Sequence, residues 1–222
     1  MQWHKDIKSF PPTISIMAVM ASCIVLAGGR SRRMGMDKKS MELGGKTFLE
    51  KVVESARGVC DEVIVSVASE AQRRGVEGMA LGVAATVVDE AGPIGPLGGL
   101  LTALKRCTRE YALVLTCDSP VPMPDVLRQM LDEIGPHGAL VPRDGDYIHP
   151  LQALYRVEPL LAACEEALGR GARDVKGVVA RMADVRYISV EEFRAQDREL
   201  LTFFNVNTPR DLERLRALLG AG

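Results

Sequence analysis

The stretch Cys23-Ile24-Val25-Leu26-Ala27-Gly28-Gly29-Arg30-Ser31-Arg32-Arg33-Met34-Gly35-Met36-Asp37-Lys38 joins a short apolar run to a basic, glycine-rich loop. Its first part has the β-branched, apolar character of a core strand. Its glycines let backbone N–H groups close on a ligand without obstruction from Cβ. Residues 30–39 hold five bases (Arg30, Arg32, Arg33, Lys38, Lys39) and one acid, Asp37. Such a loop at the carboxyl end of a strand suits a polyphosphate, whose oxygens amides and guanidinium forks can hold. A lysine there can neutralise charge on a transferred phosphoryl group. The plainer alternative is a solvated basic turn. Two familiar phosphate loops do not fit: GxGxxG is absent, and so is GxxxxGK[ST], because Met36 follows Gly35.

Outward from this stretch, short apolar runs alternate with amphipathic ones. Strands are expected at Cys23–Ala27, Glu62–Val67, Ala84–Val88, Ala112–Thr116, Gly138–Val141, Gln152–Tyr155 and Arg186–Ser189. Helices are expected at Thr47–Gly58, Glu70–Gly75, Leu97–Cys107, Pro122–Ile134, Glu158–Leu168 and Pro209–Leu219. Leu113-Val114-Leu115 is apolar at every position, as in a strand covered on both faces. This order predicts an α/β fold: a three-layer, doubly wound, mostly parallel sheet. In such sheets ligands bind outside the carboxyl ends of the strands.

No linker or composition shift divides the chain, so residues 21–222 are expected to form one domain behind a loose extension, residues 1–20. The extension carries Pro11 and Pro12, and Met17 or Met20 could each serve as a start. Lys5 and Lys8 before an apolar run superficially resemble a signal peptide, but cleavage would remove the strand that the basic loop needs. No run reaches the roughly 18–20 apolar residues that span a bilayer. A cytoplasmic protein without a membrane partner is the expectation.

Composition narrows the function. Among 222 residues, 28 basic side chains face 29 acidic ones, a formal net charge of −1, unlike the strongly basic domains that bind nucleic acid generally. Aromatics at 5% leave few stacking platforms for single strands. Cys23, Cys60, Cys107, Cys117 and Cys164 form neither CxxC nor a cluster, so reduced thiols are expected. His4, His137 and His149 are too few and scattered for a zinc site, and no Ser-His-acid triad is supported.

Other strand ends carry candidate chemistry. Asp89 ends one strand, and Gly92-Pro93-Ile94-Gly95-Pro96-Leu97-Gly98-Gly99-Leu100 follows it. Glycines at a helix start let a flat ligand lie against backbone, although an ordinary capped loop reads the same way. Thr116-Cys117-Asp118-Ser119-Pro120 runs from a buried strand into a carboxylate that could hold Mg²⁺ or simply close an Asx turn. Arg170 to Lys176 is a second basic patch, either a solvated helix start or a contact for an acceptor phosphate. In Asn205-Val206-Asn207-Thr208-Pro209-Arg210-Asp211, Thr208 reads as an N-cap, Pro209 as the first helical residue and Asp211 as its capping-box partner. Capping leaves the two asparagines unexplained.

The string LAGGRSRRMGMDK followed by Glu42-Leu43-Gly44-Gly45-Lys46, with GPLGGL, Cys117-Asp118-Ser119-Pro120 and NVNTP, resembles the molybdenum cofactor guanylyltransferases. These belong to the nucleotidyltransferases whose fold also serves sugar-nucleotide pyrophosphorylases. The resemblance spans about residues 22–219 and implies that Leu26, Ala27, Gly28 and Gly29 line the nucleotide while Arg33 and Lys38 meet its phosphates. It implies that Asp89 and Gly98 belong to the nucleoside pocket, with Glu90 a neighbouring candidate, and that Asp118 binds Mg²⁺ or Mn²⁺. Asn205 and Asn207 would approach the metal or the pterin acceptor, and His149 matches a recurrent His-Pro near it. Arg33, Lys38 and Asp118 would be the catalytic set. The chain departs from the pattern in its extension and at Ser66-Val67-Ala68-Ser69, where some relatives carry an asparagine beside the nucleotide.

The activity implied is transfer of GMP from Mg·GTP to the terminal phosphate of molybdopterin or molybdenum cofactor, releasing pyrophosphate. Molybdoenzymes or their chaperones would receive the product. Cytidylyl transfer to the same acceptor is the near rival, but those relatives tend to read LAAG where this chain has Leu26-Ala27-Gly28-Gly29. A sugar-1-phosphate nucleotidyltransferase fits less well, since the loop ends in Asp37-Lys38 and not Pro-Lys. A silent nucleotide- or cofactor-binding module is the alternative of a different class.

Overall fold

The computed structural model describes residues 19–28, 41–90 and 95–220. Its first half contains β1 (Ala21–Leu26), β2 (Glu42–Leu43), β3 (Lys46–Thr47), α1 (Phe48–Arg57), β4 (Glu62–Val67), α2 (Glu70–Gly78), β5 (Ala85–Val88), α3 (Pro96–Leu104) and β6 (Tyr111–Thr116). Next come α4 (Pro124–Glu133), β7 (Ala139–Asp144), β8 (Tyr147–Ile148), β9 (Ala153–Arg156), α5 (Val157–Gly169), α6 (Val175–Val179), β10 (Val185–Ser189) and α7 (Pro209–Gly220). Of the expected extension, residues 1–18 lie outside the described residues; Val19 packs on the core and Met20 is exposed.

The main sheet runs β10-β7-β9-β6-β1-β4-β5, with β8 added to β7. β1 pairs in parallel with β4 and β6, β4 with β5, and β7 with β10. β9 alone on this path runs against its neighbours, antiparallel to β6 and β7. The reason is the connection: only a tight β8 return and a turn separate β7 from β9, and a parallel neighbour would need a long crossover. The mostly parallel, three-layer expectation holds, with β9 and the short β8 reversed.

Side chains alternate between two cores, one on each face of the sheet. Leu113 and Leu115 of β6 join Val25, Val65 and the buried faces of α1 and α4. Ala112 and Val114 point the other way, to Ile24, Ile64 and α3, α5 and α6. A third cluster joins Leu43 and Phe48 to Val206 and Leu215 of α7.

Local chemistry sets the boundaries. Thr47 Oγ1 accepts the Glu50 N–H at 3.2 Å while Glu50 Oε2 accepts the Thr47 N–H at 2.6 Å, a capping box at the start of α1. Gly44 and Gly45, at φ +62° and +77°, make the two-residue turn of the β2–β3 hairpin. At α7, Thr208 Oγ1 accepts the Asp211 N–H at 3.2 Å and Asp211 Oδ2 accepts the Thr208 N–H at 2.8 Å, as the sequence predicts. Among the described residues no helix is long and apolar enough to cross a membrane.

Candidate active site

Strand order places the site. β4 and β5 lie to one side of β1 and β6 lies to the other, so the chain changes direction of progress at β1. Crevices outside the carboxyl ends of strands at such a switch point bind ligands. Leu26 stands level with Ser66 of β4 and Thr116 of β6, so the three strand ends form one edge. That edge brings together Leu26, Ala27, Gly28, Asp89, Gly98 and Asp118. Gly29, Arg33 and Lys38 lie outside the described residues.

The first loop leaves β1 tied to both neighbours: the Ala27 N–H donates to Ser66 C=O at 2.8 Å, and the Cys117 N–H to Leu26 C=O at 3.3 Å. Gly28 then passes so near the next strand end that a Cβ would stand 2.9 Å from the Ala68 nitrogen. The Ala68 N–H is in turn held by Gln72 Oε1 at 2.8 Å.

Asp89 continues the line of β5, its N–H on Val67 C=O at 2.8 Å. Its carboxylate sits over the first turn of α3 at Gly98, near the positive end of that helix. The next turn packs equally closely, because a Cβ on Gly99 would stand 2.7 Å from Ser66 Oγ. Ser66, the first residue of the Ser66-Val67-Ala68-Ser69 stretch, is therefore buried beneath Gly99. Glu90 is exposed, and its N–H donates to Thr102 Oγ1 at 3.2 Å.

On the other side of Asp118 the edge is polar and interlocked. The Val206 N–H donates to Asp118 C=O at 2.7 Å, which lays the Asn205-Val206-Asn207 segment beside it. The Ser119 hydroxyl donates to Asn205 Oδ1 at 2.9 Å; Gln152 Nε2 donates to Ser119 Oγ at 2.7 Å and to Asn205 Oδ1 at 3.3 Å. Asn205 is therefore brought to Asp118, while Asn207 is exposed, with its N–H on Asp211 Oδ2 at 2.9 Å. The sequence reading takes Gln152 as the first residue of a strand and gives it no role in the site, since it belongs to no motif; the strand itself begins at Ala153.

His149 is buried between Tyr147 (ring centroids 4.9 Å apart) and Phe203 (5.2 Å). Burial pushes its pKa below the ordinary value, only partly opposed by Asp144 and Gln152. Of the basic patch at 170–176, Lys176 reaches this corner, with Nζ 4.5 Å from the Tyr147 ring centroid. Arg170 pairs with Glu166 at 2.5 Å, and Asp174 caps α6. His137 lies at the opposite edge, before β7, and pairs with Asp184 at 2.8 Å.

Residues 23–185 match the MobA-like NTP transferase domain family. A Methanosarcina mazei protein named a probable molybdenum cofactor guanylyltransferase is 36% identical over 200 residues, 87% of this chain and 89% of its own length. A Desulfosudis oleivorans molybdenum cofactor guanylyltransferase is 31% identical over 201 residues, 90% of this chain and 96% of its own. The crystal structure of molybdopterin-guanine dinucleotide biosynthesis protein A from Archaeoglobus fulgidus superposes with a TM-score of 0.78 at 30% identity, over 90% of this chain and all of that one. A Thermus thermophilus cytidylyltransferase shares the fold at a TM-score of 0.66 and 19% identity, over 89% of this chain and 98% of its own. With its strand order, its switch-point edge and these likenesses, the chain belongs to the MobA-like NTP transferase domain family.

Proposed function

We propose that the protein transfers GMP from Mg·GTP to the terminal phosphate of molybdopterin or its molybdenum-bearing form. The observation that carries this reading is the match to named guanylyltransferases over nearly the whole chain, joined to a strand-end edge with a carboxylate, Asp118, beside glycine loops. In this reading Leu26, Ala27, Gly28, Gly29, Lys38, Asp89, Gly98 and Asp118 receive the nucleotide. Asn205 and Asn207 face the acceptor, which occupies the β9 side of the edge.

An oxygen of the acceptor phosphate forms a bond to the α-phosphorus as the bond from that phosphorus to the bridging oxygen breaks, and pyrophosphate leaves with the electron pair. Such transfers ask the protein mainly for positioning and charge stabilisation. Arg33 and Lys38 neutralise the phosphates, and the backbone at Gly28 and Gly98 seats the nucleoside. Mg²⁺ or Mn²⁺ would be held by Asp118, because a cation arriving on a triphosphate needs only one or two carboxylates from the protein. When bound, it would supply charge neutralisation on the phosphates.

The test is incubation with Mg²⁺, molybdopterin and each nucleoside triphosphate in turn, measuring pyrophosphate. Release with GTP is expected. Turnover with CTP and not GTP would overturn the base assignment, and nucleotide binding without turnover would make the chain a carrier.

A further inference from the structure

Asn205 is held by its oxygen. Its Oδ1 accepts from the Ser119 hydroxyl and from Gln152 Nε2, and a carboxamide oxygen has two lone pairs. Protein donors thus occupy both. No hydrogen bond joins Asn205 Nδ2 to any described residue, and the residue is half-buried.

Gln152 is fixed from several directions. It is 4% exposed, and its N–H donates to His149 C=O at 3.1 Å, closing a turn with Pro150. The Tyr155 hydroxyl donates to Pro150 C=O at 2.7 Å, tying that turn to β9. Because β9 runs against β6, this turn lies at the edge where Asp118 leaves its strand. The Gln152 side chain donates through Nε2 both to Ser119 and to Asn205. Ser119 has a single hydroxyl proton, so the two amides can turn over only together.

We propose that Gln152 is a positioning residue: with Ser119 it occupies the oxygen of Asn205, so that Asn205 meets the acceptor through Nδ2, as a donor to a phosphate oxygen, and does not ligate the metal. A divalent cation such as Mg²⁺ takes oxygen ligands, and this amide has none to spare. The identity of the phosphate rests on the guanylyl-transfer reading; the orientation of the amide does not.

Two measurements test this separately. In the first, side-chain amides of the isotope-labelled full chain are followed by NMR without substrate, assigned with the Asn205→Asp and Gln152→Glu variants. The Gln152 NH₂ should be protected from hydrogen exchange, while the Asn205 NH₂ exchanges with solvent and shifts on addition of inorganic phosphate. A protected Asn205 NH₂, or one indifferent to phosphate, overturns the proposal whatever the activity.

In the second, Gln152→Met is compared with the wild type in molybdopterin-dependent pyrophosphate release. The KM for the acceptor should rise about tenfold, while the KM for Mg·GTP and the Mg²⁺ requirement stay unchanged. In an Asn205→Ala background Gln152→Met should add almost nothing, because the two act as one unit. A full additive effect, or a changed Mg²⁺ requirement, overturns the proposal. A wild type that transfers no guanylyl group removes the functional reading instead, and the NMR result still decides the orientation.

Discussion

The Asp89 carboxylate occupies the space that a side chain at position 98 would need: a Cβ on Gly98 would stand 2.6 Å from Oδ1 and 2.8 Å from Oδ2. The Asp89 main chain is held by its N–H on Val67 C=O at 2.8 Å, so the carboxylate would have to yield by turning about its side-chain bonds. Alanine in a helix gains about 0.5–1 kcal/mol over glycine, which offsets part of the crowding. Gly98→Ala should therefore melt within about 5 °C of the wild type while its KM for Mg·GTP rises about tenfold. An unchanged KM would show that Asp89 is not needed where it stands.

Gly99 and Gly28 are crowded by different things, and suppression separates them. A Cβ on Gly99 meets Ser66 Oγ at 2.7 Å, with nothing else nearer than 3.7 Å. Gly99→Ala should lose about 1–3 kcal/mol in chemical denaturation, and adding Ser66→Ala should restore most of it. A Cβ on Gly28 meets the backbone at Ala68 N (2.9 Å) and Val67 C (3.2 Å) before it meets Ala68 Cβ (3.3 Å), and trimming a side chain does not relieve the backbone contacts. Gly28→Ala should lose a comparable amount and gain nothing from Ser66→Ala.

If Asp118 and Lys38 act on the phosphates, Asp118→Ala and Lys38→Ala should each lower turnover by about two orders of magnitude or more. Neither should change the far-ultraviolet spectrum or shift the melting temperature by more than about 5 °C. Wild-type rates of pyrophosphate release in either variant would remove that residue from the catalytic set.

His149 gives a pH signature. Burial lowers its folded-state pKa, so the unfolded chain binds more protons over the interval from that lowered value up to the ordinary one. Its contribution is thus fully present above about pH 6.5, the unfolded value, and is lost as pH falls below it. The wild-type melting temperature should drop from pH 7 toward pH 5, and His149→Phe, which keeps a ring between Tyr147 and Phe203, should drop less. Equal slopes would mean that the ring titrates freely in the fold.

Much of the fold is legible in the sequence because its central strands are apolar at every position. Glu62–Val67 appears as a strand with the predicted bounds, and the first strand is shifted by no more than two residues at its start. Strand direction is less legible: Ala153–Arg156 has the same apolar look as its parallel neighbours, and only the missing crossover helix before it betrays the reversal. Glu42–Leu43, Lys46–Thr47 and Val175–Val179 are too short for a period to show. In the site, Asp89 and Asp118 stand out as acids that follow apolar runs. Gln152 does not, because its meaning lies in Ser119, 33 residues away, and no local pattern records such a partner.

The position of β1 in the middle of the sheet has an evolutionary consequence. On the proposed assignment, the groups that hold the nucleotide come from residues 26–118 and those that face the acceptor from residues beyond 150. Asp118 is the last of the first set, and its neighbour Ser119 is already bonded to the second. Selection can therefore rework the later half for a new acceptor while the register of β5, β4, β1 and β6 holds the triphosphate end unchanged. The price of a new specificity is then confined to one flank of one edge.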